Sequence, residues 1–158
     1  MRTTFKRFAT AVFVTFLINQ AAVAAAPAVT DLPVKLGDSV DDVKQAFGTT
    51  LDPEPMESAV PSPGQTKRKQ LRLKTKGVWF FFEKERVVTY RVDVPFKGNV
   101  GGVKLGDDVT KLTKLLGAPV KTNAFMGRTT YTYYFDDVTT TNFVFSGNDE
   151  LETIFFIK

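Results

Sequence analysis

The chain contains a repeat of itself. Val34-Lys35-Leu36-Gly37-Asp38 recurs as Val103-Lys104-Leu105-Gly106-Asp107 at an offset of 69, and Val40/Val109 and Gly48/Gly117 agree at the same offset, giving seven identities over the fifteen positions 34–48. Val43, Ala46 and Phe47 are answered by the apolar residues Leu112, Leu115 and Leu116. A period of this size marks one supersecondary unit used twice, each copy too small to bury its apolar face alone. The expected layout is a first repeat over 34–97, a Gly-rich linker over 98–102 and a second repeat over 103–158.

Each copy opens with an expected short helix. Asp38 and Asp107 stand where an N-cap carboxylate accepts first-turn N–H groups. Val40, Val43, Ala46 and Phe47, and then Val109, Leu112, Leu115 and Leu116, follow at helical spacing, and Gly48 and Gly117 supply left-handed ends. Strand-like runs come next: Gln70–Thr75, Val78–Glu83 and Arg86–Val94 in the first copy, Thr129–Phe135, Thr141–Ser146 and Glu150–Ile157 in the second. Phe80-Phe81-Phe82 is matched by Phe143-Val144-Phe145. Short turns between these runs fit antiparallel meanders. The expected fold class is therefore α+β: two tandem helix-plus-three-strand antiparallel repeats in a two-layer helix-on-sheet architecture. The first copy also carries Asp52-Pro53-Glu54-Pro55 and Pro61-Ser62-Pro63-Gly64, a Pro-rich stretch (52–64) expected to form an exposed loop without regular structure.

Residues 1–24 have the pattern of a cleaved secretory signal. Arg2, Lys6 and Arg7 precede a short apolar run from Phe8 to Ile18, and Ala22-Val23-Ala24 offers the small residues a signal peptidase needs, with 25–33 left as a linker. The apolar run is too short for a stable membrane span, and no Cys is present for lipidation. The expected location is periplasmic or secreted. Removing the leader lowers the net charge from +4 to +1, leaving 18 basic against 17 acidic side chains, so nucleic acid is not an expected partner. The dense cluster Lys67-Arg68-Lys69 with Arg72, Lys74 and Lys76 fits a strand edge protected by charge better than it fits the alternative, a local contact for an anionic group.

With neither His nor Cys in the chain, thiol and histidine catalysis and the usual zinc, copper and haem ligands are excluded. The acidic pairs Asp38/Asp107, Asp41/Asp42 and Asp136/Asp137 fit caps, first-turn acids and turns. Gly147-Asn148-Asp149-Glu150 is too short for a calcium loop, and Gly98-Asn99-Val100-Gly101-Gly102 precedes no Lys-Ser/Thr pair of a phosphate loop. The expectation is a protein that is not an enzyme, with no cofactor and no metal.

Gly37-Asp38 or Gly106-Asp107, a short helix ending in Phe47-Gly48 or Leu116-Gly117-Ala118-Pro119, and three strands finishing in a hairpin together resemble the bacterial SmpA/OmlA (BamE-like) module. In tandem behind a signal peptide, the pattern also resembles the beta-lactamase inhibitor protein family. The resemblance covers essentially the whole chain after the leader. It implies helices packed on one face of an antiparallel sheet, the other face open to a partner, and an exported, non-catalytic binding role. This chain departs from both families, having neither a lipobox Cys nor disulfides.

The expected function is an exported protein-binding module of inhibitor or immunity type, acting on a secreted or envelope protein. An envelope-assembly factor and a small-ligand binder are the alternatives. Trp79, Phe81, Arg72, Lys74, Arg91 and Tyr134 are expected to share one exposed aromatic and basic face, because Trp, Tyr and Arg combine large contact area with a polar handle. The competing expectation places Trp79 and Phe81 in the core.

Overall fold

The computed structural model describes residues 27, 29–56 and 67–158. The expected leader (1–24) and most of the Pro-rich stretch lie outside the described residues.

Burial alternates along the strands. In β3 (Val78–Glu83), Val78, Phe80 and Phe82 are buried while Trp79, Phe81 and Glu83 point the other way. The same alternation runs through β7 (Thr140–Phe145), where Thr141, Phe143 and Phe145 are buried. Around these, β1 (Glu54–Pro55), β2 (Lys69–Leu73), β4 (Arg86–Asp93), β5 (Lys121–Phe125), β6 (Arg128–Tyr134) and β8 (Leu151–Ile157) complete one eight-stranded antiparallel sheet in the order β1-β2-β3-β4-β8-β7-β6-β5. A short 3₁₀ helix spans Lys74–Lys76. Among the described residues there are two α-helices, both short: α1 (Val40–Phe47) and α2 (Val109–Leu116).

This corrects the expected fold class. The described residues form mostly one continuous eight-stranded sheet with two short helices, rather than two tandem helix-plus-three-strand units. Two strands escape a pattern-based search for physical reasons. All five residues of β5 are exposed, so Lys121-Thr122-Asn123-Ala124-Phe125 has no buried face to impose alternation. The β1 strand has only two residues and ends on a proline, yet Glu54 and Pro55 pair with Gln70 and Lys69 at the sheet edge, where a missing donor costs little. The Pro-rich stretch therefore contributes a strand where none was expected. The halves join edge to edge through β4 and β8, with Thr89 to Asp93 opposite Ile157 to Thr153.

The pentapeptides that repeat in sequence make the same bonds in space. Asp38 Oδ2 accepts from the Lys35 amide and Asp107 Oδ2 from the Lys104 amide, each at 2.7 Å, across turns whose Gly37 and Gly106 have φ of 95° and 87°. Gly37 and Val87 then exchange bonds across the Asp38 carbonyl (Gly37 N to Val87 O 2.8 Å, Val87 N to Asp38 O 2.9 Å), and Gly106, Leu151 and Asp107 do the same at 2.8 and 2.9 Å. Each motif thus clips the helix entrance to the last strand of its own half. The caps lie one residue further on than expected. Ser39 caps α1 in a reciprocal box with Asp42, and Asp108 caps α2 by accepting from the Lys111 amide at 2.8 Å. Gly48 ends α1 in the left-handed region, whereas Gly117 ends α2 with φ 80° and an extended ψ.

Val43 of α1 and Leu112 of α2 are fully buried in a core built on Phe80, Phe82, Phe143 and Phe145 from the sheet. Phe47 packs on Phe80 with ring centroids 5.5 Å apart. One side of the sheet is therefore covered, and its other side carries the remaining alternate residues.

Candidate functional site

The uncovered side is organised by cross-strand register. Arg72 on β2 lies opposite Trp79 on β3, Trp79 opposite Arg91 on β4, Arg91 opposite Phe155 on β8, and Phe155 opposite Asn142 on β7. Directly opposed residues share a face. Trp79, Arg91 and Phe155 are half-buried, and Arg72 is exposed. Both guanidinium groups stack on the indole, with Cζ of Arg72 at 4.5 Å and of Arg91 at 4.6 Å from the ring centroid. Arg91 also lies 5.5 Å from the Phe155 ring. The result is a cation–π sandwich, an arrangement in which the ring faces attract the cations while the guanidinium edges keep N–H donors available.

Neighbouring polar groups hold this sandwich in place. Gln70 Oε1 accepts from Arg72 Nε at 3.2 Å and from a terminal guanidinium nitrogen at 3.0 Å. Arg91 Nε donates to the Asp93 carboxylate at 2.8 to 2.9 Å, and Thr153 Oγ1 donates to the same carboxylate at 2.7 Å. The chain of contacts from Thr153 through Asp93, Arg91, Trp79 and Arg72 to Gln70 crosses four adjacent strands. Few rotamers remain to be lost when this surface meets a partner, which lowers the entropic cost of binding.

A second row runs parallel to the first. Gln70, Phe81, Thr89, Ile157, Thr140 and Tyr134 are successive cross-strand partners from β2 to β6. Phe81 is half-buried and Tyr134 is 56% exposed. Four strand spacings, about 19 Å, separate Phe81 from Tyr134. Tyr134 shares the face without touching the sandwich. Lys74 does not share it: the chain leaves the sheet after Leu73, and Lys74 opens the 3₁₀ helix beside a cleft lined by Phe47, Leu51 and Lys76. Of the six nominated residues, register brings Arg72, Trp79, Phe81 and Arg91 together, puts Tyr134 at the far side and sends Lys74 to the sheet edge.

Sequence inspection did not single out Phe155, Gln70 or Asp93 as site residues. Phe155 sits in an apolar run, Ile154-Phe155-Phe156-Ile157, and only the β4–β8 pairing shows that it adjoins Arg91. Asp93 and Gln70 act through arginines two residues away on their own strands, a spacing that puts both side chains on one face and is the signal available to find them.

Among the described residues, no cluster of three or more acidic side chains is placed to hold a metal ion. Asp136 accepts from the backbone amide of Val138 at 2.9 Å and also from that of Thr139, which holds its carboxyl below the ordinary carboxylate range. It is a turn carboxylate. Ser39 likewise holds Asp42 low by hydrogen bonding to its carboxylate.

Among the described residues, no helix is long and apolar enough to cross a membrane. No family model matches the chain, and no curated protein does. Among solved structures, the chain is similar to a DUF4309 family protein (YjgB) from Bacillus subtilis at TM-score 0.46 and 18% identity, over 76% of this chain and 78% of that one. It is also similar to an extracellular protein containing an SCP domain from Bacillus anthracis, at TM-score 0.56 and 12% identity, over 94% of this chain and 50% of that one. The chain thus spans about half the length of that extracellular neighbour, and the likeness is one of fold.

Proposed function

We propose that the chain is an exported, non-catalytic protein-binding module of inhibitor or immunity type, docking a secreted or envelope protein on the open face of its sheet. The observation that carries this proposal is the Arg72–Trp79–Arg91 sandwich beside Phe155. An indole and a phenyl ring supply area to desolvate, and pre-oriented guanidinium edges supply donors for carboxylates. The partner surface that fits presents acidic side chains around an apolar patch. Export is supported by the leader-like pattern of residues 1–24 and by the fold shared with part of an extracellular protein.

Affinity capture from an exported-protein fraction tests the proposal, with Trp79→Ala and Arg91→Ala as paired variants. The expected result is one soluble exported protein retained by the native chain and bound about 30-fold more weakly by Trp79→Ala, the size of a central interface anchor. The variants should keep nearly the native melting temperature. A stability loss of core size on Trp79→Ala, with binding of the folded fraction unchanged, would overturn the docking face. Recovery with membrane fragments instead would favour an envelope-assembly role.

A further inference from the structure

The covered side of the sheet holds a hollow at the junction of the two halves. Leu71, Phe80, Tyr90, Phe156, Thr141 and Tyr133 form one cross-strand row from β2 to β6 on the core face. Every member but Thr141 is leucine or an aromatic. A threonine in a row of rings leaves the volume of a ring unfilled. At one end of the row Phe47 of α1 covers Phe80, and at the other the Tyr133 hydroxyl donates to the carbonyl of Gly117, at the end of α2, at 2.9 Å. No residue of α1 or α2 is in the lining of the space over Thr141. Above it lies a cavity of about 360 Å³ walled by Val29, Leu36, Tyr90, Phe135 and Phe156.

Thr141 borders this cavity from beneath: it is fully buried, its hydroxyl has no hydrogen-bond partner among the described residues, and a small shift of the wall is needed to uncover that hydroxyl to a ligand. The other two buried polar side chains among the described residues are satisfied: Thr132 donates to Asn142 at 2.7 Å and Thr153 to Asp93 at 2.7 Å. A buried hydroxyl left unpaired is costly unless something supplies the partner. Tyr90 and Phe156 stack at 4.4 Å and offer a flat aromatic wall. Burial raises the Tyr90 phenol well above its ordinary value, so the wall is uncharged. Lys35 and Asp136, also in the lining, contribute one charge of each sign, which gives no net preference for an anion or a cation.

We propose that this cavity, between the Tyr90–Phe156 stack and the Thr141 hydroxyl, binds a small neutral aromatic molecule of one or two rings whose hydrogen-bond acceptor receives the Thr141 proton. The volume falls within the range of small-molecule pockets, and a largely apolar wall with a few placed polar groups, here Thr141 with Thr139 and the Tyr90 phenol, is the usual recipe for orienting such a ligand. The site lies on the side of the sheet opposite the Trp79 sandwich, so it stands or falls independently of the docking face.

Two probes of matched shape test it on the full chain: acetophenone, which carries an acceptor, and ethylbenzene, which does not. Two-dimensional ¹H–¹⁵N spectra should show saturable shifts centred on the amides of Leu36, Tyr90, Thr141 and Phe156, with acetophenone binding more tightly. Thr141→Val removes the donor at constant shape and should weaken acetophenone by about fivefold, the loss of one hydrogen bond, while leaving ethylbenzene unchanged. The absence of saturable shifts at these residues, equal affinities for the two probes on the unmodified chain, or a bound water alone at Thr141 would each overturn the site.

Discussion

At the scale of single residues, carboxylates in this protein serve mainly to fasten backbone. Asp38 and Asp107 close their turns, Asp42 and Asp108 serve the helix caps, and Asp136 folds the β6–β7 connection. Hydrogen bonds from Ser39 lower the titration of Asp42, a hydrogen bond from Lys44 lowers Asp52, and the amides of Val138 and Thr139 lower Asp136. A carboxylate held below its unfolded value contributes stability that is complete above that value, about pH 4, and fades as pH falls through the folded one. Thermal melts should therefore be level between about pH 5 and 7 and drop on further acidification, with a shallower drop in Asp42→Asn and Asp136→Asn. An unchanged acid limb in both variants would contradict the assignment. These residues also mark how far single positions can be read in sequence. A cap residue was legible as a kind, an Asp or Ser before an apolar helix. Its exact place was not, because Asp38-Ser39 and Asp107-Asp108 each offer two capable side chains in a row and the turn claims the first.

At the scale of elements, each helix is anchored by one fully buried side chain, Val43 in α1 and Leu112 in α2. Leu112→Ala should cost about 2–5 kcal/mol, whereas Leu115→Ala, at a position 45% exposed, should cost well under that; chemical denaturation of the two variants checks the orientation of α2. The 3₁₀ helix ends on Gly77 at φ 66°, where an added Cβ would sit 2.2 Å from the Asp93 carbonyl oxygen. Gly48 has a similar φ of 60° and open space around it. Gly77→Ala should therefore destabilise by several kcal/mol, well beyond the roughly 1 kcal/mol of backbone strain expected for Gly48→Ala. Equal losses would show that conformation, not crowding, governs both sites. Several strands with a buried face were readable from alternation, and β3 was placed to the residue by its unbroken apolar run Val78 to Phe82, which does not itself say which side is buried. A bulge disturbs this in β4: Phe81 pairs with Thr89 and Phe82 with Val87, so Val88 is an extra residue, and Val87 is buried in place of Val88, which strict alternation with Tyr90 and Val92 would put on the core face. The corresponding bulge in β8 skips Glu152 between Leu151 and Thr153, and Glu152 turns to meet Arg128 at 2.9 Å.

At the scale of the whole molecule, the pairing of β4 with β8 makes one sheet of two halves, with the Tyr90–Phe156 stack across the seam and the Lys158 amide bonded to the Val88 carbonyl at 2.9 Å. Neither half can withdraw without exposing a sheet edge and the apolar seam. Heat and denaturant should thus unfold the chain in one transition, with calorimetric and van't Hoff enthalpies equal, and a fragment covering residues 34–97 should not fold alone. Two separated transitions would show independent halves. The duplicated turn-and-helix motif, the alternating strands and the composition of the aromatic and basic cluster were all present in the sequence, because each depends on neighbours a few residues apart. The strand order, the single sheet, the placement of Phe155 against Arg91, the removal of Lys74 from the face and the hollow over Thr141 came only with tertiary structure. All of them depend on which strand lies beside which, and that is decided by long-range pairing of backbone edges and by contacts between residues 60 to 68 positions apart.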